Sequence, residues 1–197
     1  LKENNIRIDG SIATESSSEK IIGDQIKVGR KGAVDVQIEI IGKQGHAAYP
    51  QLAQNPLHCM SKLISFFDDQ KLDDGAEYFE PSTLQFTQVN LNNKAKNVIP
   101  EKLITVGDMR FNDNWDPEKI QNYFDKYLSK ICSENNCTYN LKLTLRGLPF
   151  QAFNNPFTKH CIKAIKDVTG IEASQDTGGG TSDARFMQDV CPVFEFG

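Results

Sequence analysis

The chain has 197 residues, of which 39% are hydrophobic and 24% charged, with a net charge of −4. That length suits one large or two small domains, and the balance is that of a globular protein rather than a disordered one. Lysines and arginines are dispersed, so no basic stripe marks a nucleic-acid surface, and no apolar run approaches the roughly 20 residues that cross a membrane.

The first residues, Leu1-Lys2-Glu3-Asn4-Asn5, are polar and lack signal-peptide character. Residues 12–14 close a short strand-like run, and Glu15-Ser16-Ser17-Ser18 follows as a turn. Lys20 to Val28 alternates loosely up to Gly29. Ala33 to Ile41 alternates apolar and polar side chains with period two, which predicts a half-buried strand. The stretch 44–56, Gln-Gly-His-Ala-Ala-Tyr-Pro-Gln-Leu-Ala-Gln-Asn-Pro, places His46 and Tyr49 in a loop after that strand. A histidine at a strand exit is well placed to polarise a substrate carbonyl. Pro56 to Gln70 then carries Leu57, Met60, Leu63, Ile64 and Phe67 at helical spacing, with Pro56 suited to the first turn.

Thr83 to Leu91 and Leu103 to Phe111 read as two further strands. Asp116-Pro117 reads as an N-cap and first helical residue, followed by Ile120, Phe124, Tyr127, Leu128 and Ile131 on one helical stripe. Tyr139 to Leu145 alternates again. The order strand, helix, strand, strand, helix, strand predicts a ferredoxin-like βαββαβ unit over residues 33–146, with both helices on one face of the sheet. The flanks, 1–32 and 147–197, read as pieces of a separate α/β unit into which that domain is inserted. In the second flank, Pro156 to Val168 reads as a helix, 177–183 as a loop, Ala184 to Gln188 as a helix and Val193 to Phe196 as a strand. Position 1 is not Met, and Gly197 directly follows an apolar run, so the chain reads as a piece of a longer protein.

The residue types alone leave the chemistry open. The Gly178-Gly179-Gly180-Thr181-Ser182-Asp183 loop fits a flexible turn with Asp183 helping to cap the next helix. It fits equally a nest of N–H groups holding an anion. It is neither a Walker loop nor a dinucleotide fingerprint, which disfavours nucleotides. Arg30 and Arg110 are candidate carboxylate clamps because a guanidinium fork matches a carboxylate, although exposed salt bridges account for them more simply. Asn97 is by itself a turn residue. His58 and His160 read as surface or packing residues within helices, and Ser182 has no base in sequence. The five cysteines form no regular framework and read as free thiols of a reducing compartment.

Four segments, Gly29-Arg-Lys-Gly32, the 44–56 stretch, Asn97-Val-Ile-Pro100 and Thr177-Gly-Gly-Gly-Thr-Ser-Asp183, occur together and in this order in one family. On them the chain resembles the bacterial succinyl-diaminopimelate desuccinylases, dinuclear zinc amidohydrolases of the M20 metallopeptidase type. The resemblance implies a ferredoxin-like lid (dimerisation) domain over 33–146, inserted in an incomplete zinc-peptidase-like α/β catalytic domain formed by 1–32 and 147–197. It implies that Glu15 matches a zinc-ligating carboxylate, although the family usually has Glu-Pro where this chain has Glu15-Ser16. It implies that His46 crosses a homodimer interface to bind the oxyanion, with Tyr49 and Asn97 as partner-subunit substrate contacts. Arg30, Arg110, Gly180, Thr181 and Ser182 would bind substrate carboxylates. The family holds two zinc ions, with cobalt able to replace one. Its other metal ligands and its general base have no counterpart in this sequence, so this chain alone is expected to bind no zinc and to be inactive. The implied substrate is N-succinyl-diaminopimelate and the implied compartment the cytoplasm, with no nucleic-acid or membrane partner. The rival readings are another M20 aminoacylase, carboxypeptidase or deacetylase, and a non-catalytic ferredoxin-like dimerisation module.

Overall fold

A computed structural model describes residues 7–180 and 182–197. The chain runs through β1 (Ser11–Ala13), β2 (Gln25–Lys27), β3 (Gly29–Arg30) and β4 (Gly32–Ile41), then β5 (Gly45–His46) and α1 (Pro56–Asp68). β6 (Thr83–Asn90), β7 (Val98–Ile99) and β8 (Lys102–Phe111) lead into α2 (Pro117–Glu134) and β9 (Thr138–Gly147). β10 (Phe150–Gln151), α3 (Pro156–Thr169), β11 (Ser174–Asp176), α4 (Ala184–Met187) and β12 (Val193–Glu195) complete it.

The three longer helices start where local chemistry dictates. Asn55, Asp116 and Asn155 each accept a backbone N–H of the first turn, from Leu57, Lys119 and Phe157, and each precedes a proline that needs no such partner. α3 ends on Gly170, whose φ of 75° is the left-handed cap that glycine adopts without strain.

The larger sheet has the order β6-β8-β4-β9, with every neighbouring pair antiparallel. With α1 and α2 between its strands, this is the expected ferredoxin-like βαββαβ arrangement. β4 is central and pairs along its whole length. Its alternation turns Val34, Val36, Ile38 and Ile40 inward against Leu63 and Phe67 of α1 and Phe124 and Leu128 of α2. Cys59, Cys132 and Cys137 lie in the same core as free thiols, and Cys161 and Cys191 are free as well.

The smaller sheet is mixed, with the order β1-β12-β2-β11. β1 runs parallel to β12 and β2 parallel to β11, while β12 and β2 are antiparallel. The two sheets are joined where the chain enters and leaves β4 and β9. There β3 and β10 form a two-residue antiparallel ladder, Arg30 opposite Phe150 and Gly29 opposite Gln151. The loop between α1 and β6 also crosses over: Thr177 Oγ1 donates to the Tyr78 carbonyl at 2.7 Å, and the Tyr78 ring stacks on Phe153 at 4.5 Å. No described helix is long and apolar enough to cross a membrane.

Candidate functional site

The predicted site residues fall into groups at opposite ends of β4. At the far end, β5 pairs with β7 so that His46 stands opposite Val98, with Asn97 alongside. The Asn97 carbonyl accepts the Ala47 N–H at 2.8 Å, and the Asn97 side-chain amide lies 3.4 Å from His46 Nε2. Tyr49 N–H donates to the His46 carbonyl at 2.9 Å, and the His46 and Tyr49 rings lie 5.8 Å apart. His46, Tyr49 and Asn97 thus form one exposed cluster. His46 Nδ1 accepts the Ala48 N–H at 3.1 Å. With Nδ1 accepting, the tautomer that carries its proton on Nε2 makes that nitrogen the donor.

At the near end, Arg30 is 7% exposed and Glu195 0%. Arg30 Nε lies 3.0 and 3.1 Å from the two Glu195 oxygens, Nη2 donates to Oε2, and Nη1 donates to the Gly178 carbonyl. The expected exposed salt bridge at Arg30 is therefore a buried one, because its partner arrives on a strand 165 positions away. Gly179, at φ 104°, has its backbone against the guanidinium, where any β-carbon would collide with Nη1. Gly178 thus turns its carbonyl toward a cation. The Gly178 N–H is engaged by Asp176 at 3.0 Å. Burial would raise the Asp176 carboxyl, but hydrogen bonds and charge from Lys27 and the Gly178 N–H outweigh it and hold it below the usual range.

Ser182 is buried, and its Oγ accepts the Ala184 N–H at 3.1 Å. The cap expected from Asp183 is therefore supplied by its neighbour, since Asp183 makes no side-chain cap bond. Gly180 is exposed with open space around it, and Thr181 lies outside the described residues. Glu15 is exposed just beyond β1. Its loop is stitched to Gly197, whose carbonyl accepts the Ser17 and Ser18 N–H groups at 3.1 and 2.9 Å. Glu15 therefore emerges at the carboxyl ends of the parallel pair β1 and β12, the edge where α/β sheets place ligands.

Arg110 lies on the sheet face away from the helices. Its Nε donates to Asp108 at 2.6 Å, and Arg146 bridges Asp108 and Asp35. Burial pushes the Asp108 carboxyl up, but the two arginines outweigh it and leave it below its ordinary value. A cavity of about 570 Å³ beside Gln44 and Asn90 is lined by none of these residues.

Among the described residues no three His, Cys, Asp or Glu side chains come together to hold a metal. Glu15 offers one carboxylate where zinc takes about four ligands, so these residues by themselves do not fit a zinc centre. His58 and His160 are exposed on α1 and α3. What the sequence did not signal is Glu195, which sits in an apolar run and reads as a strand residue.

Residues 28–136 match the M20 family model described as a peptidase dimerisation domain. The chain is 40% identical over 191 residues to a succinyl-diaminopimelate desuccinylase of Paracoccus denitrificans, a match covering 97% of this chain and 50% of the relative. It is 39% identical over 197 residues to the enzyme of that name from Ehrlichia chaffeensis, covering 100% and 51%. It spans about half the length of these curated relatives. A tripeptidase from Staphylococcus aureus has the same fold, with a TM-score of 0.80 at 21% identity over 100% of this chain and 50% of that one. An aminopeptidase from Bacillus cereus follows, with a TM-score of 0.79 at 16% identity and the same coverage.

Proposed function

The chain belongs to the M20 peptidase dimerisation-domain family, and from that premise we propose that the longer protein is a metal-dependent amide hydrolase. It removes the succinyl group from N-succinyl-diaminopimelate, giving succinate and diaminopimelate, in the cytoplasm and as a homodimer. The substrate assignment follows the printed names of the relatives, at about 40% identity over nearly the whole chain. In this reading 33–146 is the lid, and 1–32 with 147–197 belong to the catalytic domain. Glu15 contributes one carboxylate to a dinuclear zinc centre, and the remaining ligands come from elsewhere in the longer protein.

The observation that carries the dimeric arrangement is the distance between the two residue groups. β4 has ten residues, and at 3.3 Å per residue it separates the His46 cluster from the Arg30 cluster by roughly 30 Å. His46 of one subunit therefore serves the site beside Glu15 of the other. With Nδ1 held by the Ala48 amide, its Nε2–H donates to the oxyanion that develops on the amide carbonyl. Tyr49 and Asn97 accompany it. Arg30, Arg110, Gly180, Thr181 and Ser182 hold substrate carboxylates.

The test is the full-length enzyme, assayed before and after chelation on N-succinyl- and N-acetyl-diaminopimelate. We expect chelator-sensitive turnover, with kcat/KM favouring the succinyl substrate by at least about 10²-fold, because the acetyl analogue leaves buried carboxylate-binding groups unpaired. A preference for acetylated amino acids or dipeptides would assign a different M20 hydrolase. No turnover of any amide would favour a non-catalytic dimerisation module.

A further inference from the structure

Glu195 is fully buried, charged, and used by nothing in the function just described. The only described partner of its side chain is Arg30, and the geometry fixes how much of Arg30 it takes. A guanidinium has five N–H donors. Glu195 takes the Nε–H and one on Nη2, and the Gly178 carbonyl takes one on Nη1. Two remain, one on each terminal nitrogen. The one left on Nη2 faces Nη1, because the one beside Nε is in the fork to Glu195. The guanidinium is thus gripped by Glu195 along its Nε–Nη2 edge, with the Gly179 backbone against its Nη1 end, and only the two remaining donors are left to meet a ligand.

We propose that Glu195 is the positioning residue for Arg30, fixing the guanidinium so that its remaining donors receive the succinyl or the distal carboxylate of the substrate. The inference rests on the reading of Arg30 as a substrate clamp. An arginine side chain free to rotate would lose conformational entropy on binding each substrate molecule, whereas one held by a bidentate carboxylate has already lost it. The sheet makes the hold rigid. Glu195 is paired with Ala13 on one side and Lys27 on the other, so it cannot follow a moving arginine.

The test uses the full-length enzyme carrying Glu195→Asp, which keeps the charge and withdraws the carboxylate by one methylene. Three substrates are compared: N-succinyl-diaminopimelate, its N-butyryl analogue (no succinyl carboxylate) and Nα-succinyl-lysine (no distal carboxylate). Misplacing a binding group by about 1 Å can cost up to 10²-fold. We therefore expect KM for N-succinyl-diaminopimelate to rise about tenfold or more, with kcat within about threefold. The rise should vanish for the one analogue that lacks the carboxylate Arg30 holds, the same analogue on which Arg30→Lys has no effect. An equal penalty on all three substrates, or a collapse of kcat with KM unchanged, would overturn the proposal. If Glu195→Asp does not fold, Glu195→Gln is read in the same way: a KM change confined to the same substrates supports positioning, and a uniform change contradicts it. If the wild-type enzyme turns over none of the three, the functional reading fails instead. Positioning is then read from the Arg30 Nε–H resonance, sharp and slowly exchanging in the wild type. Its loss in the variant supports the hold by Glu195, and its persistence overturns it.

Discussion

The two sheets of this chain are built to different standards of self-sufficiency. The larger one surrounds a ten-residue central strand with partners on both sides and closes one face with two helices over a continuous core. The smaller one has strands of three residues, two small buried clusters, and apolar side chains that this chain, about half the length of its relatives, does not itself cover: Ile12 at 47% exposure, Ile22 at 65%, Phe186 at 65% and Val168 at 85%. A dimerisation domain that folds on its own contacts can hold its loops in fixed geometry whatever its neighbours do. The smaller sheet packs around those two clusters, and the buried Arg30–Glu195 pair ties β12 to β3.

The largest expected contrast comes from removing one apolar group from the packed core of the larger region and one that the smaller region leaves exposed. Phe124 is fully buried, with the Phe67 ring 5.3 Å away. Phe124→Ala should cost about 4 kcal/mol, through lost transfer energy and the cavity left behind. Val168→Ala on α3 should change stability by no more than about 0.5 kcal/mol. Urea unfolding of both variants decides it: equal losses would mean that Val168 is packed rather than exposed.

A smaller effect, confined to the larger region, sharpens the picture of how its loops are held. Asp73 ties the α1–β6 loop to the turn after β8, accepting from the Gly75 and Ser82 N–H groups, the Asn112 amide and Trp115 Nε1. Burial alone would raise its carboxyl. The hydrogen bonds from Ser82, Trp115 and Gly75 outweigh that and bring it down to about 2 from 3.8. A carboxyl lowered by folding adds stability that is present above its unfolded value and lost as pH falls through the folded one. Asp73 should therefore contribute up to about 2 kcal/mol above pH 4, disappearing as pH falls toward 2. Comparing unfolding of the wild type and Asp73→Asn over that window checks it: the wild type should show the extra pH slope and the variant should not.

How much was legible followed the range of each signal. The long strands of the larger sheet announced themselves by period two, and the helix starts by Pro56, Asp116-Pro117 and Pro156, because alternation and helix-start signals are local. β11, Ser174-Gln175-Asp176, shows no apolar alternation, and its strand character comes from pairing with Ile26. The two-residue ladders β3–β10 and β5–β7 are too short to carry a period. Their importance is positional, since one joins the sheets and the other brings Asn97 to His46. The meeting of His46, Tyr49 and Asn97 was expected only through the family resemblance, as nothing local links residues 51 positions apart. Glu195 was hidden for the same reason: a buried charge is recognised by its partner, and Arg30 is remote in sequence.

Whether the His46 cluster serves a site in the other subunit is decided by subunit mixing. Full-length chains carrying His46→Ala and Glu15→Ala are each prepared, each lacking one half of the composite site. His46→Ala alone should lower kcat by about 10²–10³-fold with little change in KM, as expected for the loss of an oxyanion donor. On mixing equal amounts under subunit exchange, half the dimers pair the two chains. One of the two sites in each such dimer then has both an intact Glu15 and the partner's intact His46. Activity should return to about a quarter of the wild-type value. If His46 acts within its own subunit, no dimer in the mixture has a working site, and no activity would return.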